Sequence, residues 1–378
     1  MLKDWIDKKT SRKPDHILAG TILALLCLGL LILASVSSSY SFTRFNNTYY
    51  FLNHQLLFGL LPGLLLGYLA YRINLNKLKK YTPIFLLFTF FLMLLVFVPF
   101  LGIKAGNSAR WINIGFTTFQ PSELLKLTFI FYLASWLTGR KNKDNPILGK
   151  FGISQTFMAF MVIAGIIIFI LVLQSDVSTL GVIIAVGVLM YFTSGTSIRE
   201  NIMILLLGTG GLISLIWLAP YRMKRILVFL NPDTDPMGIG YQLKQSLIAI
   251  GSGGLFGLGL GMSSQKLGYL PQTISDSIFA IFSEEAGFLG SFFLLALFLT
   301  FAWRGFYIAK QCSDPFLRLI AVGISSWIII QSFVNIGAMV GVLPLTGIPL
   351  PFISYGGSAL IITMIGSGIL LNISRKNS

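Results

Sequence analysis

The chain has 378 residues, of which 55% are hydrophobic and only 11% are charged. Soluble domains carry about a quarter charged residues, so this composition excludes an ordinary soluble protein and predicts an all-α, polytopic integral membrane protein in which residues 1–378 form a single transmembrane domain. The formal net charge of +15 could suit nucleic acid, but the positions of the basic residues indicate membrane topology and no nucleic-acid partner.

Ten apolar runs are long enough to predict transmembrane helices. They lie at 17–36, 51–71, 82–100, 121–138, 153–173, 178–194, 201–219, 284–303, 317–343 and 353–373. Residues 1–16 precede the first helix, and residues 220–283 form a large loop between the seventh and eighth helices. An even number of spans places both termini on one side of the membrane.

The basic residues predict which side that is. The segments 1–16, 72–80, 139–150, 194–200, 304–318 and 374–378 hold 19 of the 28 Lys and Arg residues. Because basic residues accumulate on the cytoplasmic side, we expect cytoplasmic termini and an extracellular large loop. Acidic residues, which influence topology little, concentrate at the outer side, so we expect any chemistry to face outward.

The stretch "SARWINIGFTTFQPSELLKL" at 108–127 combines charged and polar residues at the start of the fourth span. One interpretation is helix capping with an interfacial Trp. The other is a functional site, since ionisable residues at membrane depth are functional candidates. The candidates here are Arg110, Trp111, Gln120, Ser122, Glu123 and Lys126.

Two further segments on the predicted outer side each allow a structural and a functional interpretation. In "LQSDVSTLG" at 173–181, Asp176 either caps the next helix or belongs to a site. The run "GSGGLFGLGLGMSSQKLG" at 251–268 lacks the features of a phosphate-binding P-loop. Its glycines predict close packing, although free backbone amides could also meet a diphosphate.

The stretch "LPQTISDSIFAIFSEEAGFLG" at 270–290 places Asp276, Glu284 and Glu285 within ten positions of a chain that has only 13 acidic residues. Asp276 is either the N-cap of the following helix or a base whose proton affinity is raised by partial desolvation. The uncharged stretch "LPLTGIPLPFISYGGSALI" at 343–361 is rich in Pro and Gly, and such broken backbone near a membrane surface often lines a cavity.

Four of these stretches resemble the SEDS family, the FtsW/RodA/SpoVE-type peptidoglycan polymerases. They are "RWINIG…FQPSELLKL", "NPDTDPMGIGYQLKQSLIAIGSGGLFGLGLG", "QKLGYLPQTISDSIFAIFSEEAGFLG" and "GIPLPFISYGGSALI", in this order. The sequence departs from the family pattern at "TISDSIF", where Ser275 and Ser277 replace the usual Thr and Phe. "QKLGYLP", "PLPFISYGG" and "LLNISRK" resemble the division-type branch more than the elongation-type branch.

The resemblance implies an inverting glycosyltransferase that polymerises lipid II into β-1,4 glycan strands at the outer face of the bacterial cytoplasmic membrane during septal wall synthesis, releasing undecaprenyl diphosphate. Asp276 matches the family's essential aspartate, and we predict it to be the general base. Further predicted substrate-binding residues are Arg110, Trp111, Gln120, Ser122, Glu123, Lys126, Lys266, Pro351, Ser354, Tyr355, Gly356, Gly357 and Ser358. A divalent cation, Mg²⁺ or Mn²⁺, is expected, with Asp176, Glu284 and Glu285 as candidate ligands.

The resemblance also implies partners: a class B penicillin-binding protein acting as transpeptidase, and other membrane proteins of the division machinery. Three alternatives remain open at this point. They are a lipid II flippase, an elongation-type polymerase, and a non-enzymatic scaffold of the division machinery. A flippase would need polar groups along a path from both faces, whereas the candidates here cluster on the outer side.

Overall fold

The computed structural model describes residues 13–105, 108–115, 117–139, 154–217 and 219–377. A helix lies at each of the ten predicted spans, and two more lie in the large loop. In chain order they are α1 (His16–Phe45), α2 (Tyr50–Arg72), α3 (Leu75–Leu95), α4 (Pro121–Gly139), α5 (Gln155–Leu173), α6 (Val177–Thr193), α7 (Ile198–Trp217), α8 (Pro220–Leu230), α9 (Ile239–Ser252), α10 (Ile278–Gln311), α11 (Pro315–Met339) and α12 (Gly357–Asn377). Residues 1–12 and 140–153, which include most of the predicted cytoplasmic segments 1–16 and 139–150, lie outside the described residues.

Eight helices within the described ranges are long and apolar enough to cross a membrane. The two predicted spans that fall outside this group are α6, which has 17 residues, and α4, whose first turns contain Glu123 and Lys126. The architecture is therefore that of a multi-helix membrane protein. The total of ten spans and the cytoplasmic termini stay predictions.

A small antiparallel sheet between α3 and α4 was not expected from the sequence. Its strands are β1 (Gly102–Ala105), β2 (Ser108–Asn113) and β3 (Thr118–Phe119), in the order β1-β2-β3. The chain leaves α3 at Leu95 and turns back so tightly that a Cβ on Gly102 would lie 1.8 Å from the carbonyl oxygen of Val96. The apolar run to residue 100 therefore predicted a longer helix than the one that forms.

Helix α10 begins six residues before the predicted span, but it is broken at Gly287, which has φ 65° and ψ −165°. The glycine-rich loop packs into this break. The amides of Leu258 and Gly259 donate to the carbonyls of Glu284 and Glu285, both at 3.0 Å. The packing interpretation of the glycine run is thus confirmed, and these two amides are not free for a diphosphate.

Helix α11 is the centre of the bundle. In its most apolar stretch 78% of the residues are buried, against 12% for α7. One face of α11 carries three buried side chains that can form hydrogen bonds. They are Trp327, Gln331 and Asn335, which are spaced four residues apart. This face leads to the end of the bundle where the large loop and the 340–356 segment meet.

Candidate active site at the end of the bundle opposite the chain termini

Asp276 lies immediately before α10 and is half-buried. The hydroxyl of Ser275 donates to its carboxylate at 2.9 Å, and the side-chain amide of Asn335 donates to its backbone carbonyl at 2.9 Å. The N-cap residue of α10 is Ser277, and no side-chain capping bond is made there. Asp276 therefore does not cap the helix.

The surroundings of Asp276 favour its protonated form. Burial raises the pKa of this carboxyl group above its usual value, while hydrogen bonds from Ser275 and Gln242 and the charge of Arg225 offset only part of the effect. Desolvation penalises the ionised form, so this carboxylate takes up a proton more readily than an exposed aspartate. That property is the one a general base requires.

A cavity of about 370 Å³ approaches Asp276 through the 345–347 backbone, although Asp276 itself is not among the residues that line it. The guanidinium of Arg225 donates to the carbonyls of Leu345 and Thr346 at 3.1 and 3.2 Å, and a Cβ on the next residue, Gly347, would lie 3.7 Å from the Asp276 carboxylate. The 345–347 backbone therefore connects the cavity to the carboxylate. The polar side chains that line the cavity are Arg110, Ser175, Ser178, Tyr221, Arg222, Arg225 and Thr346.

A second buried carboxylate, Asp176, lies at the start of α6. It accepts a hydrogen bond from the hydroxyl of Ser122 at 3.0 Å and forms an ion pair with Arg110 at 3.5 Å. The side-chain amide of Gln120 lies 3.4 Å from the same carboxylate. No side-chain capping bond is made at α6, so Asp176 joins the 108–122 segment to the cavity wall instead of capping its own helix.

The 343–361 segment contacts the loop that carries Asp276. The hydroxyl of Ser354 donates to the carbonyl of Ser275, and the amide of Tyr355 donates to the carbonyl of Ile274 at 2.9 Å. Further along, Ser358 accepts a hydrogen bond from the amide of Gln120 at 3.2 Å. The segment thus joins the neighbourhoods of both carboxylates, and its Pro344–Thr346 stretch lines the cavity.

Four other candidates lie at the margins of this arrangement. Trp111 is half-buried on β2 opposite Ile103. Pro351 is buried, Gly356 donates through its amide to the side chain of Gln55, and Gly357 begins α12. These four residues shape the backbone around the site and line no part of the cavity.

Lys126 is buried away from the cavity. Its ammonium forms an ion pair with Glu123 at 2.7 Å, donates to the side-chain oxygen of Gln331 at 2.8 Å, and lies 5.0 Å from the ring centroid of Trp327. Both charged side chains are at most 3% exposed. The charge of Lys126 is therefore already neutralised within the bundle.

The charge of Lys266 is also neutralised by a buried carboxylate. It forms an ion pair with Glu285 at 2.9 Å and donates to the carbonyl of Gly261 at 2.6 Å, while Ser35 donates to the other oxygen of Glu285 at 2.5 Å. Glu284 instead accepts hydrogen bonds from the hydroxyls of Ser263 and Ser264. Both glutamates hold the glycine-rich loop to the broken helix.

The described residues form no ready metal site. They contain no group of three or more His, Cys, Asp and Glu side chains that could hold an ion. Asp176 is paired with Arg110. Glu285 is paired with Lys266, and Glu284 accepts a hydrogen bond from the hydroxyl of Ser264. The three candidate ligands are therefore not brought together.

Sequence reasoning missed four residues that the fold brings to Asp276 or its cavity: Arg222, Arg225, Gln242 and Asn335. A signal for the arginines exists, because "YRMKR" is a basic cluster on the predicted outer side, where basic residues are otherwise sparse. Asn335 could have been singled out as a polar residue inside the apolar run of α11.

The chain is similar to known proteins over nearly its whole length. The model of the FtsW/RodA/SpoVE family, described as cell cycle protein, matches residues 16–378. Stage V sporulation protein E of Bacillus subtilis (strain 168) is 39% identical over 370 residues, which are 97% of this chain and 98% of the relative. The probable peptidoglycan glycosyltransferase FtsW of Geobacter sp. (strain M18) is 37% identical over 362 residues, which are 96% and 97% of the two chains.

Two solved structures share the fold. A chain of a peptidoglycan synthase complex that coordinates polymerization and crosslinking superposes with a TM-score of 0.77 at 26% identity, covering 96% of this chain and 98% of that one. The rod shape determining protein RodA of Thermus thermophilus gives a TM-score of 0.70 at 26% identity, covering 96% and 97%. The match of the family model over nearly the whole length, together with these relatives, shows that the chain is a multi-pass membrane protein of the FtsW/RodA/SpoVE family.

Proposed function

We propose that this protein is a peptidoglycan glycosyltransferase that polymerises lipid II at the outer face of the cytoplasmic membrane. The observation that carries the proposal is a half-buried carboxylate of raised pKa, Asp276, which the 345–347 backbone connects to a cavity that three arginines line. A base next to a cationic cavity suits a reaction in which a hydroxyl attacks a carbon bonded to diphosphate. Relatives with this fold that are named peptidoglycan glycosyltransferases support the assignment.

In the proposed reaction, Asp276 accepts the proton of the acceptor sugar's 4-hydroxyl. The oxygen attacks the anomeric carbon of the donor, the bond to the diphosphate breaks, and the α-linked donor becomes a β-1,4 glycosidic bond in one inverting step. Undecaprenyl diphosphate leaves with the bonding electron pair. A positioned base of this kind contributes about 10²–10⁴-fold to the rate.

The negative charge of the departing diphosphate is stabilised by Arg110, Arg222 and Arg225. These side chains line the cavity, and Arg110 also pairs with Asp176 at 3.5 Å. Lys126 and Lys266 do not line this cavity, and each is neutralised by a buried carboxylate. Cationic groups aimed at developing charge are often the largest catalytic contribution. We therefore assign stabilisation of the diphosphate to the three arginines, of which the sequence predicted only Arg110 as a substrate-binding residue, and not to Lys126 and Lys266, which it also predicted.

A divalent cation stays a proposal. Mg²⁺ prefers octahedral oxygen coordination and is usually held by one or two carboxylates together with substrate phosphates. The described residues do not fit a self-contained site, because no three suitable ligands converge. We derive no step through the ion, and any requirement for it would depend on oxygens that the substrate brings.

The biological setting is also proposed. Curated relatives at 37–39% identity are named FtsW or stage V sporulation protein E, which supports septal synthesis in cell division over elongation. Likeness to a chain of a peptidoglycan synthase complex supports a class B penicillin-binding protein as partner, with other divisome membrane proteins around it. The elongation-type role is the runner-up.

The test is a polymerisation assay with the purified protein, its cognate transpeptidase, lipid II and Mg²⁺, with glycan products separated on a gel. We expect strands from the wild type and none from Asp276→Asn, which must fold normally by gel filtration. Equal strands from both would remove Asp276 from the mechanism. No strands from either, with the partner demonstrably bound, would favour a flippase, and intact cell division with Asp276→Asn would favour a scaffold.

A further inference from the structure

A second cavity lies at the opposite end of the bundle from Asp276. It has a volume of about 350 Å³ and is lined by Thr193 at the end of α6, by Phe306, Ala309 and Lys310 near the end of α10, and by Arg318, Leu319 and Val322 near the start of α11. This end carries the predicted cytoplasmic segments. The cavity shares no residue with the active-site cavity.

The polar part of this cavity is cationic. Lys310 is exposed and Arg318 is half-buried, and among the described residues neither forms an ion pair with a protein carboxylate. Asp314, which lies between these two basic residues in the sequence, uses its carboxylate to cap α11 by accepting from the amide of Phe316 at 2.9 Å. Nearby Arg304, in contrast, is paired with Asp15.

The remaining walls are apolar and continue along the membrane. Moving 11 residues along each helix leads from Lys310 to Leu299 and from Arg318 to Ile329, and 11 residues are close to three full turns. Leu299 and Ile329 therefore lie on the same seam between α10 and α11, about 16 Å deeper along the helix axes. Both line a separate groove with Phe298 and Phe333, in which Ser332 is the one polar lining residue.

We propose that this cavity binds an anionic phospholipid of the cytoplasmic leaflet. The phosphate lies between Lys310 and Arg318, and an acyl chain follows the α10–α11 seam past the exposed ring of Phe306 toward Leu299. Basic pockets between transmembrane helices on the cytoplasmic side recognise acidic headgroups. The combination of two cations at the mouth and an apolar seam behind them fits a lipid and not a free phosphate ion.

The test uses native mass spectrometry of the delipidated protein titrated with phosphatidylglycerol, with phosphatidylcholine as the zwitterionic lipid and glycerol phosphate as the headgroup without chains. We expect selective binding of phosphatidylglycerol by the wild type. In the Lys310→Gln/Arg318→Gln variant the affinity should fall about 25-fold, about fivefold for each basic residue. A matched control, Arg72→Gln/Lys80→Gln, removes two basic residues from the same end that do not line the cavity, and should bind as the wild type does.

A second variant tests the cavity itself. Thr193→Trp fills the exposed rim and changes no charge, so it should also weaken phosphatidylglycerol binding. Equal binding of phosphatidylglycerol by the wild type and Lys310→Gln/Arg318→Gln, equal binding of the two lipids by the wild type, or equal loss in the control variant would overturn the proposal. Tight binding of glycerol phosphate would show a phosphate site instead of a lipid site.

Discussion

At the scale of single residues, the site depends on one carboxylate, Asp276, whose buried environment destabilises the ionised form. Burial raises the pKa of Asp276, so the ionised form is less stable in the folded protein than in the unfolded chain. The folded state therefore binds protons more tightly, and the contribution of this group to stability falls as the pH rises. The carboxylate is retained at a cost in stability, which is typical of catalytic groups.

The first prediction concerns this residue and pH. Because the base must be ionised, we expect kcat/KM to fall on the acid side with a midpoint above the usual aspartate pKa of 3.8. Asp276→Asn should be at least as thermally stable as the wild type at pH 7, since it removes the cost of the buried charge. A pH–rate profile and melting curves in detergent test both. A midpoint at or below 3.8 would contradict the assignment.

The second prediction concerns Asn335, which does not line the active-site cavity but holds two loops. Its buried side-chain amide donates to the backbone carbonyls of Asp276 at 2.9 Å and Ile348 at 2.8 Å. Asn335→Leu removes both bonds, and we expect kcat to fall about 100-fold with KM little changed, because small misplacements of a catalytic group can cost that much. Steady-state kinetics on lipid II separate the two parameters.

Ser332→Ala is the matched control for Asn335→Leu. Ser332 is equally buried on α11, but its hydroxyl bonds only to the carbonyl of Ile328 in the same helix, at 2.8 Å. It should retain normal kinetics. If Asn335→Leu instead raised KM and left kcat unchanged, its role would be in binding and not in positioning Asp276.

At the scale of elements, the break in α10 decides how the large loop attaches to the bundle. Gly287 has φ 65°, in the left-handed region where a side chain is strained. A Cβ there would lie 2.3 Å from the amide nitrogen of Gly257, and one on Gly257 would lie 2.1 Å from the carbonyl of Glu285. Two glycines at one crossing permit the backbone contact that holds the loop beneath Asp276.

The third prediction is that Gly287→Ala destabilises the protein by about 3 kcal/mol or more, through backbone strain and overpacking together. Gly251→Ala is the control, because it lies in α9, where a Cβ would meet nothing within 4 Å. That change should be neutral or slightly stabilising. Thermal unfolding of both variants in the same detergent gives the comparison, and similar melting temperatures would show that the crossing tolerates a side chain.

At the scale of the whole molecule, the end opposite the active site is held by a contact between three distant parts of the chain. Asp15 pairs with Arg304 of α10, and its backbone amide donates to the hydroxyl of Ser374 of α12 at 3.1 Å. Partial burial alone would raise the pKa of Asp15, but the hydrogen bonds from Arg304 and from the amide of Leu18 and the charge of Arg304 bring it below its usual value.

The fourth prediction follows from that lowered pKa. A depressed carboxyl pKa contributes stability that is present above the unfolded value of 3.8 and is lost as the pH falls through the folded value. Asp15→Asn keeps a good N-cap for α1 but removes the ion pair. We expect a loss of about 0.5–1 kcal/mol at pH 7 and a smaller difference from the wild type below pH 4, measured by thermal unfolding. A difference independent of pH would exclude the ion pair as its cause.

The sequence by itself determined the order of the helices and which family the chain belongs to. Apolar runs of the required length identify helices without knowledge of their neighbours, because the hydrocarbon core imposes the same length on each. It also singled out Asp276 and the 343–361 segment, since charge and broken backbone are conspicuous in so apolar a chain. The sequence did not predict that α3 ends at Leu95, because the turn at Gly102 depends on packing against Val96.

Only the tertiary structure decided which charges are free to act. Lys266 is a candidate ligand-binding cation in the sequence, yet it meets the buried carboxylate of Glu285, whereas Arg225, from a helix of the large loop, contributes its charge to the surroundings of Asp276. The pair of Lys126 and Glu123 is different, because residues three apart on a helix share a face and the sequence alone indicates that contact. Lys266 and Glu285 are 19 residues apart, and Asn335 and Asp276 are 59 apart. The strength of an electrostatic contact depends on distance and burial, and neither quantity is written in the order of the residues.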